Sequence, residues 1–107
     1  MQRYGMLIGV KPDKLAEYKR YHANAWPEIL DMIRQCNIRN YSIYFKDGLL
    51  FSYFEYIGTD FAADMAAMAA DETTQRWWAV CKPCQKPLEG RAPDEWWAAM
   101  EEVFHCD

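Results

Sequence analysis

The dipeptide Asp47-Gly48 constrains the fold most, because it lies between two runs of strand-forming residues. The runs Ile38–Phe45 and Leu49–Ile57 are rich in β-branched and aromatic side chains. Asp-Gly between two such runs is a strong signal for a two-residue hairpin turn. The sequence therefore predicts an antiparallel β-hairpin near the middle of the chain.

A strand and two helical segments are predicted before the hairpin. Large side chains occupy every second position of residues 4–10, which is the pattern of a first strand. A helix is expected from about Pro12 to Ala23, because proline suits a first helical turn and apolar residues follow at helical spacing. Pro27 disfavours a helical conformation at Trp26 and restarts the helix along a new axis.

Two further helical segments are predicted after the hairpin. An alanine-rich helix is expected to begin near Thr59 or Asp60. A further helical turn or two is expected to carry residues 74–78, with Thr73 or Thr74 as the capping residue. Both segments would pack on the same sheet as the first helices.

The end of the chain decides the topology. Residues 82–95 contain three prolines and a glycine, so a loop is predicted there. Asp94–Phe104 has good helix propensity, yet a final strand from about Glu101 to Cys106 would complete a β-α-β-β-α-β order. That order predicts a single α+β domain over residues 1–107 with a ferredoxin-like, two-layer α/β plait.

Composition and charge exclude several classes of function. The formal net charge is −4 and Lys and Arg form no dense cluster, so no nucleic-acid partner is expected. No stretch approaches the length of a membrane span, and the apolar N-terminal run is too short and interrupted for a secretory signal. We therefore expect a soluble, cytoplasmic protein without a membrane partner, whose four cysteines are reduced thiols.

The Cys81-Lys82-Pro83-Cys84 motif and the His105-Cys106 pair are the candidate metal ligands. Adjacent residues on a strand point to opposite faces, so His105 and Cys106 cannot easily share one ion. The Cys-x-x-Cys pair lies between a helix and a proline-rich loop, unlike a thioredoxin-type redox motif. We expect neither a metal site nor a cofactor.

His22 is one of two histidines and is the side chain best suited to proton transfer. Tyr18 precedes it by four residues, so on a helix the two side chains share a face and can reach one ligand. A histidine near a helix end is also often a cap or a surface group. The residues alone leave both interpretations open.

Two Trp-Trp pairs, Trp77-Trp78 and Trp96-Trp97, are unusual in so short a chain. Adjacent residues on a helix diverge by about 100°, so at most one of each pair can lie fully in the core. The other tryptophan must contact a subunit interface or a ligand. A dimer contact and the C–H face of a sugar ring both suit an indole.

Six motifs follow one another over nearly the whole chain. They are Glu17-Tyr18, His22, Trp26-Pro27-Glu28, Asn40-Tyr41-Ser42-Ile43-Tyr44, Arg76-Trp77-Trp78 and Glu102-Val103-Phe104-His105. In this order and at these intervals they resemble the L-rhamnose mutarotase family. The resemblance implies that the ferredoxin-like plait forms a dimeric α/β barrel with a sugar pocket beside the sheet in each subunit. It also implies His22 as the catalytic acid/base and four sugar contacts, Tyr18, Tyr41, Trp77 and Trp78.

The implied activity is the interconversion of the α and β anomers of a 6-deoxyhexose, L-rhamnose first, by a homodimer that needs no metal or cofactor. The segment after Trp78 departs from the family pattern, and L-fucose is the alternative sugar. A small monooxygenase and a non-catalytic ligand-binding module on the same dimeric fold are the alternative functions. The second proton-transfer group, Tyr18, Tyr41 or a bound water, and the role of His105 are left open.

Overall fold

The computed structural model describes residues 1–107 and is built on one five-stranded antiparallel sheet. The strands are β1 (Gln2–Val10), β2 (Ile38–Lys46), β3 (Leu49–Tyr56), β4 (Gln85–Lys86) and β5 (Ala98–Met100). The helices are α1 (Leu15–Ala23), α2 (Pro27–Gln35), α3 (Phe61–Ala70) and α4 (Glu72–Cys81), with 3₁₀ turns at Pro12–Lys14 and Lys82–Cys84. The strand order is β2-β3-β1, and β4 and β5 both pair with the remaining edge of β1.

The hairpin between β2 and β3 forms at the predicted dipeptide. Asp47 and Gly48 both have positive φ values, 50° and 79°, which a two-residue type I′ turn requires at its two central positions. Aspartate tolerates this conformation better than most residues, and glycine adopts it without steric cost. Lys46 therefore pairs directly with Leu49 at the end of the hairpin.

The core lies between one face of the sheet and the helices. Alternate residues of β3 are buried on that face, beginning with Leu50. Leu50 joins Ile8 and Val10 of β1 in a core cluster with helical side chains that include Ile29 and Trp77. No helix has the length and apolar character needed to cross a membrane.

The start of α4 corrects the predicted cap. The helix begins at Glu72, and the Asp71 carboxylate accepts hydrogen bonds from both the N–H and the hydroxyl of Thr74, each at 2.9 Å. The prediction of Thr73 or Thr74 as the cap is therefore wrong. The Asp71 carboxylate instead satisfies a free N–H group of the first turn and complements the helix dipole. The start predicted for α3 is confirmed, because Asp60 caps it by accepting from the Ala63 N–H (3.1 Å).

The end of the chain departs most from prediction. Glu101–Cys106 forms no strand, and Asp94–Phe104 forms no helix. The last strand is instead β5, which is three residues long and pairs with the Gly5–Leu7 part of β1. Backbone N–H and C=O groups at this sheet edge are therefore satisfied by residues 98–100, and the chain beyond them is exposed.

The predicted loop 82–95 also contains regular structure, a 3₁₀ turn followed by β4. Gly9 makes this pairing possible. A Cβ atom at Gly9 would lie 2.7 Å from the Lys86 carbonyl oxygen, so a larger residue would push β4 away from β1. Two short strands thus occupy the edge at which the β-α-β-β-α-β order predicted one.

Candidate active site

A cavity of about 440 Å³ opens between α1, α2 and α4 on one side and β2 on the other. Its size falls within the roughly 300–1,000 Å³ of small-molecule pockets. Apolar side chains of α2, including Ile29 and Ile33, form one wall. Polar groups enter from His22 at the end of α1 and from Tyr41 on β2. The cavity thus combines an apolar wall with few polar side chains, as small-molecule sites commonly do.

His22 is held in one orientation by its own helix. Its Nδ1 atom lies 2.8 Å from the carbonyl oxygen of Tyr18, one helical turn earlier. A carbonyl oxygen can only accept, so Nδ1 carries the proton and donates it. In the neutral ring the lone pair is therefore on Nε2. This arrangement makes Nε2 the atom that can accept a proton from a ligand.

The surroundings of His22 favour its neutral form. Burial lowers the pKa of the imidazole below its ordinary 6.5, and the hydrogen bond to the Tyr18 carbonyl opposes this only in part. The ring stacks on the Tyr18 ring at a centroid distance of 4.1 Å. The Trp77 ring packs against the imidazole edge to face, with 5.1 Å between the ring centroids. At neutral pH, His22 is thus an uncharged base.

Tyr18 lies behind His22 and does not line the cavity. It is only 4% exposed, and its hydroxyl oxygen accepts a hydrogen bond from Gln85 Nε2 at 3.3 Å. Burial raises the pKa of this phenol well above its ordinary value of 10.0. The hydroxyl is therefore protonated at neutral pH.

A β-bulge in β2 directs Tyr41 toward the cavity. The pairing of β2 with β3 shifts by one residue within 39–42, and Asn40 in this bulge has a φ of 52°. Side chains alternate between the two faces of a strand, so the extra residue places Tyr41 and Ile43 on the helix-covered face with Ile38. An unbroken strand would turn Tyr41 and Ile43 to the opposite face.

The Tyr41 ring packs on the Phe54 ring at 5.5 Å between centroids. Protein atoms around the phenol raise the pKa of Tyr41 to about 12 by desolvation, even though 41% of the residue stays exposed. Tyr41 therefore keeps its proton at neutral pH. It can act as a hydrogen-bond donor toward a ligand.

The two tryptophans of α4 have different environments. Trp77 is 8% exposed, lines the cavity and meets Trp26 edge to face at 5.1 Å. Trp78 is half-buried away from the cavity lining, and the Lys82 Nζ atom lies 4.8 Å from its ring centroid. The structure thus brings His22, Tyr41 and Trp77 together. A sugar contact by Trp78 stays a prediction.

Several polar residues near the cavity were not predicted as functional. Arg34, Arg39 and Asn40 line its rim. Gln85 reaches Tyr18 from a strand 67 residues further along the chain. Asn40 belongs to a motif that sequence reasoning did single out, but no local pattern indicates Gln85.

The cysteines and the second histidine lie elsewhere. Cys81 and Cys84 are buried in the core, and the Cys84 thiol donates to Glu17 Oε2 at 3.2 Å. Burial raises the pKa of Cys81 to about 12, so this thiol stays protonated. No three His, Cys, Asp or Glu side chains lie together as a metal site would need. His105 lies in the exposed C-terminal segment and does not line the cavity.

Solved structures with the same α+β fold include two that this chain matches over its full length and theirs. An L-rhamnose mutarotase from Formosa agariphila superposes with a TM-score of 0.78 at 21% sequence identity. Tetracenomycin F2 cyclase from Streptomyces glaucescens, a type II polyketide cyclase, superposes with a TM-score of 0.72 at 10% identity. At these identities the likeness establishes the fold alone.

Sequence comparison is more specific. The chain is 34% identical over 107 residues to an L-rhamnose mutarotase from Oceanobacillus iheyensis, covering 100% of both chains. It is 31% identical over 109 residues to one from Bacillus subtilis, again covering 100% of both. The family model for L-rhamnose mutarotase matches residues 3–106. The chain therefore belongs to the L-rhamnose mutarotase family.

Proposed function

We propose that this protein is a mutarotase that interconverts the α and β anomers of a 6-deoxyhexose, with L-rhamnose as the preferred sugar. His22 is the proposed general acid/base. Tyr18, Tyr41, Trp77 and Trp78 are the proposed sugar contacts. Family membership supports the class of reaction, and the site supports the role of the histidine.

The observation that carries the proposal is the orientation of the His22 ring at the cavity wall. Its Nδ1–H is committed to the Tyr18 carbonyl, so only Nε2 is free to exchange a proton with a ligand. Burial lowers the pKa of the imidazole, which keeps Nε2 unprotonated at neutral pH. A group fixed in this state can begin the reaction as a base.

The proposed reaction needs two proton movements and no change of oxidation state. Nε2 of His22 removes the proton from the anomeric hydroxyl while a second group protonates the ring oxygen, and the bond between the anomeric carbon and the ring oxygen breaks. The open-chain aldehyde then rotates and recloses on its other face, which returns both protons. The candidates for the second group are Tyr41, which lines the cavity, a bound water, and Tyr18, which lies behind His22 and would act through such a water. Proton transfer by one such group typically contributes about 10²–10⁴-fold.

The cavity also suits the shape of a 6-deoxy sugar. Trp77 and the apolar side chains of α2 offer a surface for the ring C–H groups and for the methyl carbon. Tyr41 and the rim residue Asn40 offer hydrogen-bonding groups for the ring hydroxyls. Turnover in both directions requires that both anomers bind with similar affinity. Polar contacts are therefore expected at hydroxyls that both anomers share.

We also propose that the protein is a homodimer whose sheets pack face to face. Leu7, Phe51 and Tyr44 are direct neighbours across β1, β3 and β2 on the face that the helices leave uncovered. Tyr44 is 67% exposed there. Light scattering of the wild type should give twice the mass of one chain, and Tyr44→Lys should shift the mass toward the monomer. A monomeric wild type would refute the dimer.

The test of the activity is saturation transfer between the α and β anomeric protons of L-rhamnose and, separately, of L-fucose. We expect the wild type to accelerate exchange, with L-rhamnose ahead. His22→Ala should lose about 10²–10⁴-fold while still binding sugar. His105→Ala is the matched control, because it removes the other histidine from an exposed segment outside the cavity.

The outcomes separate the alternatives. Faster exchange of L-fucose than of L-rhamnose would reassign the sugar and keep the mechanism. Sugar binding without exchange by the wild type would indicate a ligand-binding module. Oxygen uptake with an aromatic substrate, again without exchange, would indicate a monooxygenase and end the mutarotase proposal.

A further inference from the structure

Gln85 is buried beside the candidate active site, although it comes from the proline-rich segment. It is 6% exposed. Its backbone is fixed by pairing with Val10 of β1, and the neighbouring Cys84 carbonyl accepts from the Lys11 N–H at 2.9 Å. The close approach of β4 at Gly9 adds to this anchoring. The Gln85 side chain is thus held in place by the sheet edge.

The hydrogen bonds of Gln85 fix which way its amide faces. The indole Nε1 of Trp96 lies 2.7 Å from Gln85 Oε1. An indole N–H can only donate, so the amide oxygen must face Trp96. The amide nitrogen then faces the Tyr18 hydroxyl, 3.3 Å away, and donates to it. The tryptophan thereby determines the polarity of the contact between Gln85 and Tyr18.

The hydrogen bond from Gln85 anchors the Tyr18 hydroxyl. The hydroxyl oxygen accepts from Gln85, and Gln85 is its one hydrogen-bond partner in the structure. The Tyr18 ring stacks on His22, so a constraint on Tyr18 is also a constraint on the face of the imidazole.

We propose that Gln85, oriented by Trp96, is a positioning residue that holds the Tyr18 ring beneath His22 and so fixes the face of the imidazole during anomer exchange. The role of Gln85 in turnover rests on the proposed mutarotase function. Gln85 itself does not touch the sugar. It acts through Tyr18, and its substitution changes the direction or the strength of one hydrogen bond.

Two substitutions at Gln85 test this anchoring hydrogen bond. Gln85→Met keeps the side-chain length but removes the donor, and kcat for anomer exchange should fall about 10-fold with a smaller change in KM. Gln85→Glu places a carboxylate that only accepts, so it takes the Tyr18 proton for itself. Because that bond still anchors Tyr18, we expect a smaller loss of kcat in Gln85→Glu than in Gln85→Met. Equal, unchanged activity in both variants would overturn the proposal.

A double-mutant cycle separates positioning from a merely structural role. In a Tyr18→Phe background no hydroxyl is left to orient, so Gln85→Met should lower kcat little further. A full additional 10-fold loss in that background would show that Gln85 acts independently of Tyr18 and would overturn the proposal. Gln75→Met is the matched control, because that glutamine bonds the Ala69 carbonyl at an exposed site and should leave kcat unchanged.

Two further measurements keep the test decisive. If Gln85→Met does not fold, Trp96→Phe removes the indole donor and part of the ring at a residue that is 37% exposed, and it should lower kcat in the same Tyr18-dependent way. The ¹⁵N NMR spectrum of His22 reports positioning without turnover. We expect Gln85→Met to change the ring-nitrogen shifts of His22, and unchanged shifts would overturn the proposal. A wild type without anomer exchange would refute the proposed function, whereas the His22 spectra would still decide the positioning.

Discussion

The bulge at Asn40 offers a direct test of how the backbone builds the cavity. Asn40 has a φ of 52°, in the left-handed region that asparagine and glycine tolerate and alanine does not. Its side-chain Nδ2 also donates to Glu55 Oε1 at 2.7 Å. Asn40→Gly loses this hydrogen bond without backbone strain in the folded state, whereas Asn40→Ala loses the bond and gains that strain. Comparison of the two variants therefore isolates the cost of the conformation.

The size of the effect follows from two opposing terms. A residue with a Cβ atom pays about 1–2 kcal/mol in the left-handed conformation. Glycine avoids this strain, but it lowers the free energy of unfolding by about 0.4–1 kcal/mol because its unfolded chain has more conformational entropy to lose. The free energy of unfolding of the Asn40→Gly variant should thus be about 1 kcal/mol higher than that of the Asn40→Ala variant. For a chain of this size that corresponds to about 4–8 °C in Tm.

The same pair of variants should separate in activity. If alanine forces the bulge to close, the register of β2 changes by one residue and Tyr41 leaves the cavity. We expect anomer exchange to fall in Asn40→Ala well beyond its loss in Asn40→Gly. Urea denaturation monitored by tryptophan fluorescence gives the stabilities, and NMR exchange gives the activities. Equal stability and equal activity of the two variants would refute the conclusion that the positive φ places Tyr41.

Three further predictions concern other parts of the structure. Burial lowers the pKa of His22 below 6.5 in the folded protein. The value of kcat/KM should therefore stay level as the pH falls to 6.5, and it should drop about tenfold per pH unit below the folded pKa. A drop that begins above pH 6.5 would contradict this expectation. The unfolded histidine binds its proton at higher pH than the folded one, so urea titrations should also show the free energy of unfolding decreasing as the pH falls from about 6.5 toward the folded pKa. Gly9→Ala should displace β4, lower Tm and reduce kcat, since a Cβ atom there would lie 2.7 Å from the Lys86 oxygen, whereas an unchanged Tm would show that β4 can shift freely. Asp71→Ala should cost about 1 kcal/mol by removing the cap of α4, and thermal unfolding should show a smaller loss for Thr73→Ala.

Local chemistry explains which parts of the fold could be predicted. The Asp47-Gly48 turn and the start of α2 at Pro27 depend on the backbone preferences of one or two residues. Both are confirmed. The spacing of Tyr18 and His22 is also local, since four residues on a helix bring two side chains together. Their stacking could therefore be expected before any tertiary structure was known.

Long-range pairing explains what could not be predicted. The place of the last strand depends on which segment fits the free edge of β1, and Gly5 and Gly9 on that edge admit residues 98–100 and 85–86. The prediction of a strand at 101–106 came instead from the element order that such a strand would complete. The contact of Gln85 with Tyr18 joins residues 67 positions apart and has no periodic signal. The bulge at Asn40 likewise depends on the register against β3 and leaves no mark in the composition of β2.

Three separate segments of the chain form the surroundings of His22. Substitutions far from His22 in sequence can therefore impair the proposed activity. The α1 backbone fixes Nδ1, Trp77 of α4 packs against the ring, and Gln85 of β4 bonds the tyrosine stacked on it. Only the first of these depends on residues close to His22 in sequence. A short peptide with the Tyr18–His22 motif would keep the helical spacing but lose the burial that lowers the pKa of the imidazole. Changes in α4 or in the proline-rich segment should therefore impair proton transfer while the motif itself is intact.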